Sequence, residues 1–233
     1  MKYVKLTDRL LKIASLVDNG KRIADIGTDH GYIPVYLLNQ NKIQHAILGD
    51  INKGPLENAR KEVTRNKLQD KVDLRLGSGI EVLKENEVDE IIIAGMGGML
   101  INNLLKANEK VAHTTEKLIL QPMQAPEELR MFLYQNGYKI LDEHLVREEH
   151  RLYEIIVCKY EGLEPQEIDP IYYEISLKLI ENNDPLLNDF IENKIRINQN
   201  VLKKLEGKEG QGIEDKRAAL NKKIDALNDL LNK

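Results

Sequence analysis

Apolar positions in the first 160 residues alternate between short continuous runs and helix-like spacings. The runs predict strands at residues 23–24, 43–49, 72–76, 90–94 and 117–120. Helices are predicted at residues 6–18, 33–39, 55–67, 99–108 and 126–135; in the first and third of these, apolar residues recur every three or four positions. Regular alternation of strand and helix predicts an α/β fold with a doubly wound parallel sheet.

The pattern changes after Gly137. Residues 138–146 and 152–160 are two long strand patterns separated only by the polar segment 147–151. With no helix between them, they are expected to pair as an antiparallel hairpin at one edge of the sheet. Five strand–helix units followed by such a hairpin are typical of class I (Rossmann-like) methyltransferases and distinguish them from dehydrogenases.

The C-terminal region is expected to be entirely helical. After a linker at residues 163–169, Ile175 and Leu179 mark one helix, and apolar spacings predict two more at residues 187–205 and 213–231. The last two are expected to form a coiled-coil-like antiparallel hairpin. We therefore predict two domains, residues 1–162 and 163–233. The helical arm suits either RNA binding or dimerisation, so the protein is expected to be a monomer or a homodimer through these helices.

The central motif is D-I-G-T-D-H-G-Y at residues 25–32. It lacks the G-x-G-x-x-G spacing of dinucleotide sites, since only Gly27 and Gly31 are present. Asp25 and Asp29 would repel a pyrophosphate but attract a ligand that carries an ammonium and a sulfonium. S-adenosylmethionine is such a ligand. The same residues also fit an ordinary strand-to-helix turn capped by Thr28 or Asp29.

Three other strand ends carry groups that suit the same cofactor. Asp50 is placed to accept both ribose hydroxyls, Gly77-Ser78-Gly79 to lie against the adenine, and residues 95–98 to leave room for the sulfonium and the nucleophile. The full set of expected cofactor-binding residues is Asp25, Gly27, Thr28, Asp29, His30, Gly31, Asp50, Ile51, Asn52, Gly77, Ser78, Gly79, Gly95, Met96 and Gly97.

Composition limits the protein class. No apolar run approaches the roughly 20 residues that span a bilayer, and the N-terminus reads as an amphipathic helix, so a cytoplasmic protein without a membrane partner is expected. The five histidines lack a metal-ligand spacing, so no metal is expected.

The net charge of −4 gives no general reason to expect a nucleic acid partner. Its distribution is more suggestive, because residues 1–22 carry six Lys/Arg against two Asp/Glu. These six residues fit either a basic patch that contacts phosphates or a solvated helix face: Lys2, Lys5, Arg9, Lys12, Lys21 and Arg22. The residues expected to contact RNA are Lys2, Lys5, Arg9, Lys12, Lys203 and Lys204.

Together these motifs resemble the bacterial tRNA adenine-22 N1-methyltransferase family. The resemblance covers essentially the whole chain and rests on residues 25–34, G-D-I-N at 49–52, G-S-G at 77–79, A-G-M-G-G at 94–98 and Q-P at 121–122. It implies methyl transfer from S-adenosylmethionine to N1 of an adenine in the D-arm region of tRNA, with the C-terminal arm helping to hold the RNA. Ser78 departs from many methyltransferases, which carry an acidic residue there.

Three side chains are candidates for catalysis. N1 of adenine has an in-plane lone pair and needs no strong base, so alignment and an acceptor for the exocyclic amine matter most. Asp29 is the candidate acceptor, with binding of the cofactor ammonium as its alternative role. Gln121 is expected to hydrogen-bond the base edge, and Arg9 to hold a phosphate or the target nucleotide. Tyr32 fits either base stacking or the core.

Two alternatives to the tRNA methyltransferase remain open at this stage. One is a methyltransferase for a small molecule or a protein, which would not need the helical arm or the basic N-terminal helix. The other is a non-catalytic module that binds S-adenosylmethionine and RNA, which an intact set of four cofactor motifs disfavours.

Overall fold

Seven strands form one sheet in a computed structural model that describes residues 4–232. The strands are β1 (Lys21–Ile26), β2 (Ile43–Asp50), β3 (Val72–Leu76), β4 (Glu90–Gly97), β5 (Lys117–Gln124), β6 (Tyr138–Glu148) and β7 (Arg151–Tyr160). Their order is β3-β2-β1-β4-β5-β7-β6. The first five are parallel, and β7 runs antiparallel to both β5 and β6. The predicted methyltransferase-type sheet with its edge hairpin is confirmed.

Helices cover both faces of this sheet. They are α1 (Asp8–Leu16), α2 (Tyr32–Asn39), α3 (Lys53–Arg65), α4 (Gly98–Ala107), α5 (Glu109–Thr114) and α6 (Pro126–Gln135), with short 3-10 turns at Gln69–Lys71 and Gly79–Val82. In β4, Ile91 and Ile93 belong to one buried cluster and Ile92 to the other. Successive residues of a strand point to opposite faces of the sheet, so the side chains of an unbroken apolar strand pack into the buried clusters on both faces.

Two strands extend further than their apolar runs indicated. Gly95, Met96 and Gly97 lie in β4 rather than in a turn after it, and Gln121 and Pro122 lie within β5. The two strands stay paired through register shifts at Ala94/Met96 and Met96/Gly97. Glycine and proline are tolerated at such irregular pairs, although in sequence they indicate a strand end.

The chain divides into two units, after Glu167 rather than after residue 162. Residues following Gly162 stay with the first unit because their backbone is bonded to it: Leu163 N donates to Gly137 O at 3.2 Å and Gln166 N donates to Tyr134 O at 3.0 Å.

The second unit contains α7 (Ile171–Glu174), α8 (Leu177–Glu181), α9 (Leu187–Leu205) and α10 (Gln211–Leu231). The single helix expected around Ile175 and Leu179 is wrong, because Ile175 has an extended backbone and the Ser176 hydroxyl caps a new helix by accepting from Lys178 N at 3.0 Å. Helices α9 and α10 are joined by residues 206–210 and pack against each other, so they run antiparallel. Between 4 and 232, no helix is both long and apolar enough to cross a membrane.

Candidate functional site

A cavity of about 360 Å³ opens at the carboxyl edge of the parallel strands. This volume lies within the roughly 300–1,000 Å³ typical of small-molecule sites. Its lining comes from the start of α1, the end of β1 with the following loop, and β4. The lining residues are Arg9, Leu10, Asp25, Gly27, Thr28, Asp29, His30, Gly31, Tyr32, Ile33, Ala94 and Gly95. The structure thus brings together eight of the residues expected in the site.

The loop between β1 and α2 depends on its two glycines. Gly27 and Gly31 have φ values of +77° and +66°, in the left-handed region that favours glycine. A Cβ on Gly31 would lie 2.5 Å from Leu48 Cδ2. The Thr28 hydroxyl accepts from Gly31 N at 2.9 Å, and Gly27 N donates to Gly49 O at 2.7 Å. These bonds fix the loop and hold its start against the end of β2.

The two carboxylates of this loop differ in environment. Asp25 is buried within β1, and burial raises its pKa to about 6, although a hydrogen bond from Thr28 opposes the rise. The Asp29 side chain is 71% exposed, with Oδ2 at 3.2 Å from His30 Nε2. The His30 ring stacks on Tyr32, with ring centroids 4.8 Å apart, and Tyr32 is exposed. Tyr32 therefore lines the cavity and is not part of the buried core.

The raised pKa of Asp25 predicts how stability depends on pH. Below about pH 4 the carboxyl is neutral in both folded and unfolded chains. Between about pH 4 and pH 6 only the unfolded chain ionises, and above about pH 6 both are ionised and the folded chain bears the full cost of the buried charge. Without cofactor, Asp25→Asn should therefore become progressively more stable than wild type as pH rises, by up to about 3 kcal/mol. Urea unfolding at several pH values measures this. Exposed Asp70→Asn is the control, and parallel pH profiles for Asp25→Asn and wild type would contradict the assignment.

Asp50 and the residues after β3 lie on neighbouring strand ends but outside the lining of this cavity. Asp50 Oδ1 accepts from Asn52 N at 2.6 Å, and Gly77 N donates to Asp50 O at 3.0 Å. Ile51 is 66% exposed. Gly77 and Ser78 line a separate, open depression, and Gly79 begins the 3-10 turn. The Gly27–Gly49 bond joins this edge to the main cavity, so all four expected strand ends are contiguous.

The end of β4 combines open space with one covering side chain. A Cβ on Gly95 or Gly97 would meet no atom within 4 Å. Met96 instead lies over the loop, because a Cβ on Gly27 would come within 1.9 Å of Met96 Cε. Free volume therefore lies beside Gly95, the glycine of β4 that lines the cavity.

Arg9 and Gln121 form one hydrogen-bonded unit at the cavity wall. Arg9 Nη1 donates to Gln121 Oε1 at 2.6 Å, and Gly95 N donates to the same oxygen at 3.2 Å. Arg9 Cζ lies 5.2 Å from the centre of the Tyr153 ring. Sequence analysis missed Tyr153. The predicted hairpin was the available signal, because an antiparallel β7 begins beside the carboxyl end of β5.

The six-residue basic patch does not form as expected. Lys21 and Arg22 lie at the amino end of β1, away from the cavity, where they pair with Glu116 at 2.5 Å and Asp89 at 2.7 Å. Lys5 is exposed just before α1, and Lys12 is half-buried one turn after Arg9. Lys203 and Lys204 are exposed in the last turn of α9, in the second unit. Lys2 lies outside the described residues.

Comparison with known proteins identifies the family. Residues 6–156 match a family model described as a methyltransferase domain. The chain is also 39% identical, over 159 residues, to a tRNA (adenine(22)-N(1))-methyltransferase of Bacillus subtilis, and the match covers 68% of this chain and 67% of that protein. The chain belongs to the tRNA adenine-22 N1-methyltransferase family.

Solved structures of the family extend the likeness to both units. The crystal structure of the B. subtilis m1A22 tRNA methyltransferase TrmK is similar at a TM-score of 0.84 and 30% identity, covering 98% of this chain and 99% of that one. M. capricolum TrmK in complex with S-adenosyl-homocysteine is similar at a TM-score of 0.82 and 28% identity, covering 97% and 99%. The family resemblance indicated by the sequence motifs is confirmed.

All motifs that carry the resemblance to the tRNA adenine-22 N1-methyltransferase family lie along one edge of the sheet. The loop after β1, the end of β2, the turn after β3, the end of β4 and Gln121 in β5 follow one another at the carboxyl side of adjacent strands. Within residues 4–232, no group of three or more potential metal ligands occurs.

Proposed function

We propose that this chain transfers a methyl group from S-adenosylmethionine to N1 of adenine 22 in the D-arm region of tRNA. The observation that carries the proposal is the cavity in which the loop at residues 25–31 meets Gly95 and Arg9. Family membership supplies the target base, and the cavity supplies a physical account of the reaction.

The residues at this edge fit S-adenosylmethionine. Asp25 suits the ammonium, exposed backbone N–H groups of the loop suit the carboxylate, and Asp50 suits the ribose hydroxyls. Gly27 and Gly31 keep the backbone accessible to the ligand, and the free volume beside Gly95 is suited to the sulfonium. The remaining proposed contacts are Thr28, His30, Ile51, Asn52, Gly77, Ser78, Gly79, Met96 and Gly97. When bound, the cofactor supplies an electrophilic methyl group.

Alignment and charge stabilisation are the main tasks left to the protein. N1 of neutral adenine carries no proton, so its lone pair attacks without a general base, and the ring gains a positive charge. An acceptor on the exocyclic amine stabilises that charge. We assign Asp29 to this role because its carboxylate is exposed to an incoming base, whereas Asp25 already supplies a buried carboxylate for the cofactor. Binding the ammonium is the alternative role for Asp29.

The target nucleotide must leave the folded RNA before its N1 can react. Tyr32 presents an exposed ring, already stacked on His30, on the cavity lining. An extruded adenine would stack on such a ring and regain part of the energy lost on unstacking. Arg9, on the same lining, would hold an adjacent phosphate.

The second unit is proposed to hold tRNA through the exposed Lys203 and Lys204. A homodimer through α9 and α10 is the alternative, and sedimentation across a range of concentrations distinguishes it from a monomer. The proposed site of action is the cytoplasm, where tRNA is modified.

Incubation with labelled S-adenosylmethionine and unmodified tRNA tests the function. Label is expected as 1-methyladenosine at position 22 after nuclease digestion and mass mapping. A transcript with guanine at that position is the control and should stay unlabelled. Cofactor binding without label in any tRNA would overturn the proposal and favour a small-molecule or protein substrate.

Lys5 and Lys12 provide a test of the RNA surface. Lys5→Gln/Lys12→Gln should weaken tRNA binding while cofactor affinity stays unchanged. The slope of log K for tRNA against log salt concentration should become shallower by about one for each phosphate contact that is lost. Filter binding at several salt concentrations measures both effects. The matched control is Lys21→Gln/Arg22→Gln, which removes two cations at the opposite edge. Equal losses in the two double variants would argue against a localised RNA surface.

A further inference from the structure

We propose that Gln121 is a positioning residue, which orients the Arg9 guanidinium toward tRNA and does not contact the target base itself. This inference rests on the proposed function and assigns Gln121 a different role from the base contact expected from sequence.

The amide of Gln121 is fully engaged within the protein. Its side chain is buried, and Nε2 donates to Pro122 O at 2.8 Å and contacts Met123 Sδ at 3.6 Å. Oε1 accepts from both Arg9 Nη1 and Gly95 N. Two donors occupy both lone pairs of that oxygen. The orientation of the amide is also fixed, because a flipped NH₂ group would face two donors. No hydrogen-bonding capacity is left for a base edge.

The direct contacts of the Arg9 guanidinium are neutral, although its charge also interacts with the Glu148 carboxylate. Gln121 binds Nη1, and the Tyr153 ring lies beside Cζ. The carboxylate of Glu148 accepts from the backbone N of Arg9 at 3.1 Å, so it fixes the start of the helix. Nε is buried and has no partner within residues 4–232. The guanidinium is therefore oriented on the cavity lining, and Nη2, which makes no hydrogen bond within residues 4–232, is left to donate to an anion.

The neutrality of Gln121 is central to this inference. A carboxylate at this position would also accept from Arg9, but it would form an ion pair and compete with an incoming phosphate for the cation. An amide oxygen orients the guanidinium and leaves its charge available. The same oxygen holds the Gly95 peptide, so it couples Arg9 to the part of β4 beside the proposed methyl position.

A double-mutant cycle on Arg9 and Gln121 tests the inference. Gln121→Leu should lower kcat/KM for tRNA about ten- to a hundredfold, the range for losing one hydrogen bond to a charged group, mainly through KM. Arg9→Leu should lower it at least as much, and Arg9→Leu/Gln121→Leu no further than Arg9→Leu alone. Gln121→Glu should also raise the KM for tRNA, although it retains an acceptor for Arg9.

Two controls separate positioning from general destabilisation. Affinity for S-adenosylmethionine should fall much less than affinity for tRNA in Gln121→Leu, because only the Gly95 peptide of the cofactor site loses a bond. Thr115→Val, which removes a buried hydroxyl bonded to Val111 O, should lower stability without changing the KM for tRNA. In ¹⁵N NMR spectra without RNA, rotation of the Arg9 guanidinium should become faster in Gln121→Leu than in wild type.

The outcomes distinguish this inference from the proposed function. Additive losses in the cycle, or unchanged Arg9 rotation, would overturn the positioning role while wild-type methylation of tRNA continued. A wild-type protein that neither binds nor methylates tRNA would overturn the proposed function, and with it the role of Arg9 toward RNA.

Discussion

Asp50→Ala is expected to weaken binding of S-adenosylmethionine about a hundredfold. Asp50 ends β2 at the edge where the ribose is proposed to lie; its backbone O accepts from Gly77 N, and its side-chain Oδ1 accepts from Asn52 N. Hydrogen bonds to a charged acceptor contribute about 1.5–3 kcal/mol each. Loss of two such bonds, at the lower limit, corresponds to about 3 kcal/mol and hence about two orders of magnitude in Kd. Titration calorimetry measures this directly.

Asp50→Ala should weaken the binding of S-adenosyl-homocysteine by a similar factor, because S-adenosylmethionine and S-adenosyl-homocysteine share the ribose and differ at the sulfur. Asp50→Asn, which retains one acceptor oxygen, should fall between alanine and wild type. Exposed Asp70→Ala should bind both ligands normally. Unchanged affinity in Asp50→Ala would remove the ribose assignment and leave the loop at residues 25–31 as the only supported part of the cofactor site.

The sheet could be predicted from the sequence because each strand pattern lies within one short segment of the chain. The I-I-I run indicates that β4 is buried on both faces, and the lack of a helix between β6 and β7 indicates that these two strands pair. The acidic, glycine-containing loop at residues 25–31 likewise combines backbone geometry and charge within one segment. Motifs at successive strand ends then converge, because parallel strands share a carboxyl edge.

Contacts between distant segments were not accessible in the same way. Arg9 and Gln121 are separated by 112 positions and meet only once α1 and β5 pack in one domain. Whether Lys21 and Arg22 belong with Arg9 depends on which end of β1 they occupy and on partners such as Glu116. Charge counts over a segment therefore overestimated the basic surface.

The burial of Arg130 is another feature that no local sequence pattern indicates. It lies in α6, which was predicted only as a helix, yet it is fully buried between Glu143 of β6 and Glu154 of β7. Arg130 Nη2 donates to Glu143 Oε2 at 2.7 Å and also to Glu154 Oε2, while Nε is bonded at 3.1 Å to both oxygens of Glu143. This cluster joins the last helix of the sheet domain to both strands of the hairpin.

Arg130→Met should therefore lower the free energy of unfolding by about 3–5 kcal/mol, because it leaves two carboxylates buried without their cation. Urea unfolding measures the loss. Arg60→Met is the matched control: its exposed pairing with Glu57 should contribute at most about 0.5 kcal/mol.

Replacing the whole cluster tests whether the loss of stability in Arg130→Met comes from unpaired buried charges or from lost packing. Arg130→Met/Glu143→Leu/Glu154→Leu should recover most of the stability lost in Arg130→Met, because no buried charge is then left unpaired. A triple variant no more stable than Arg130→Met would instead assign the loss to packing around the long arginine side chain. A loss below about 1 kcal/mol in Arg130→Met would contradict the burial of the cluster, since uncompensated charges at such a site are strongly destabilising.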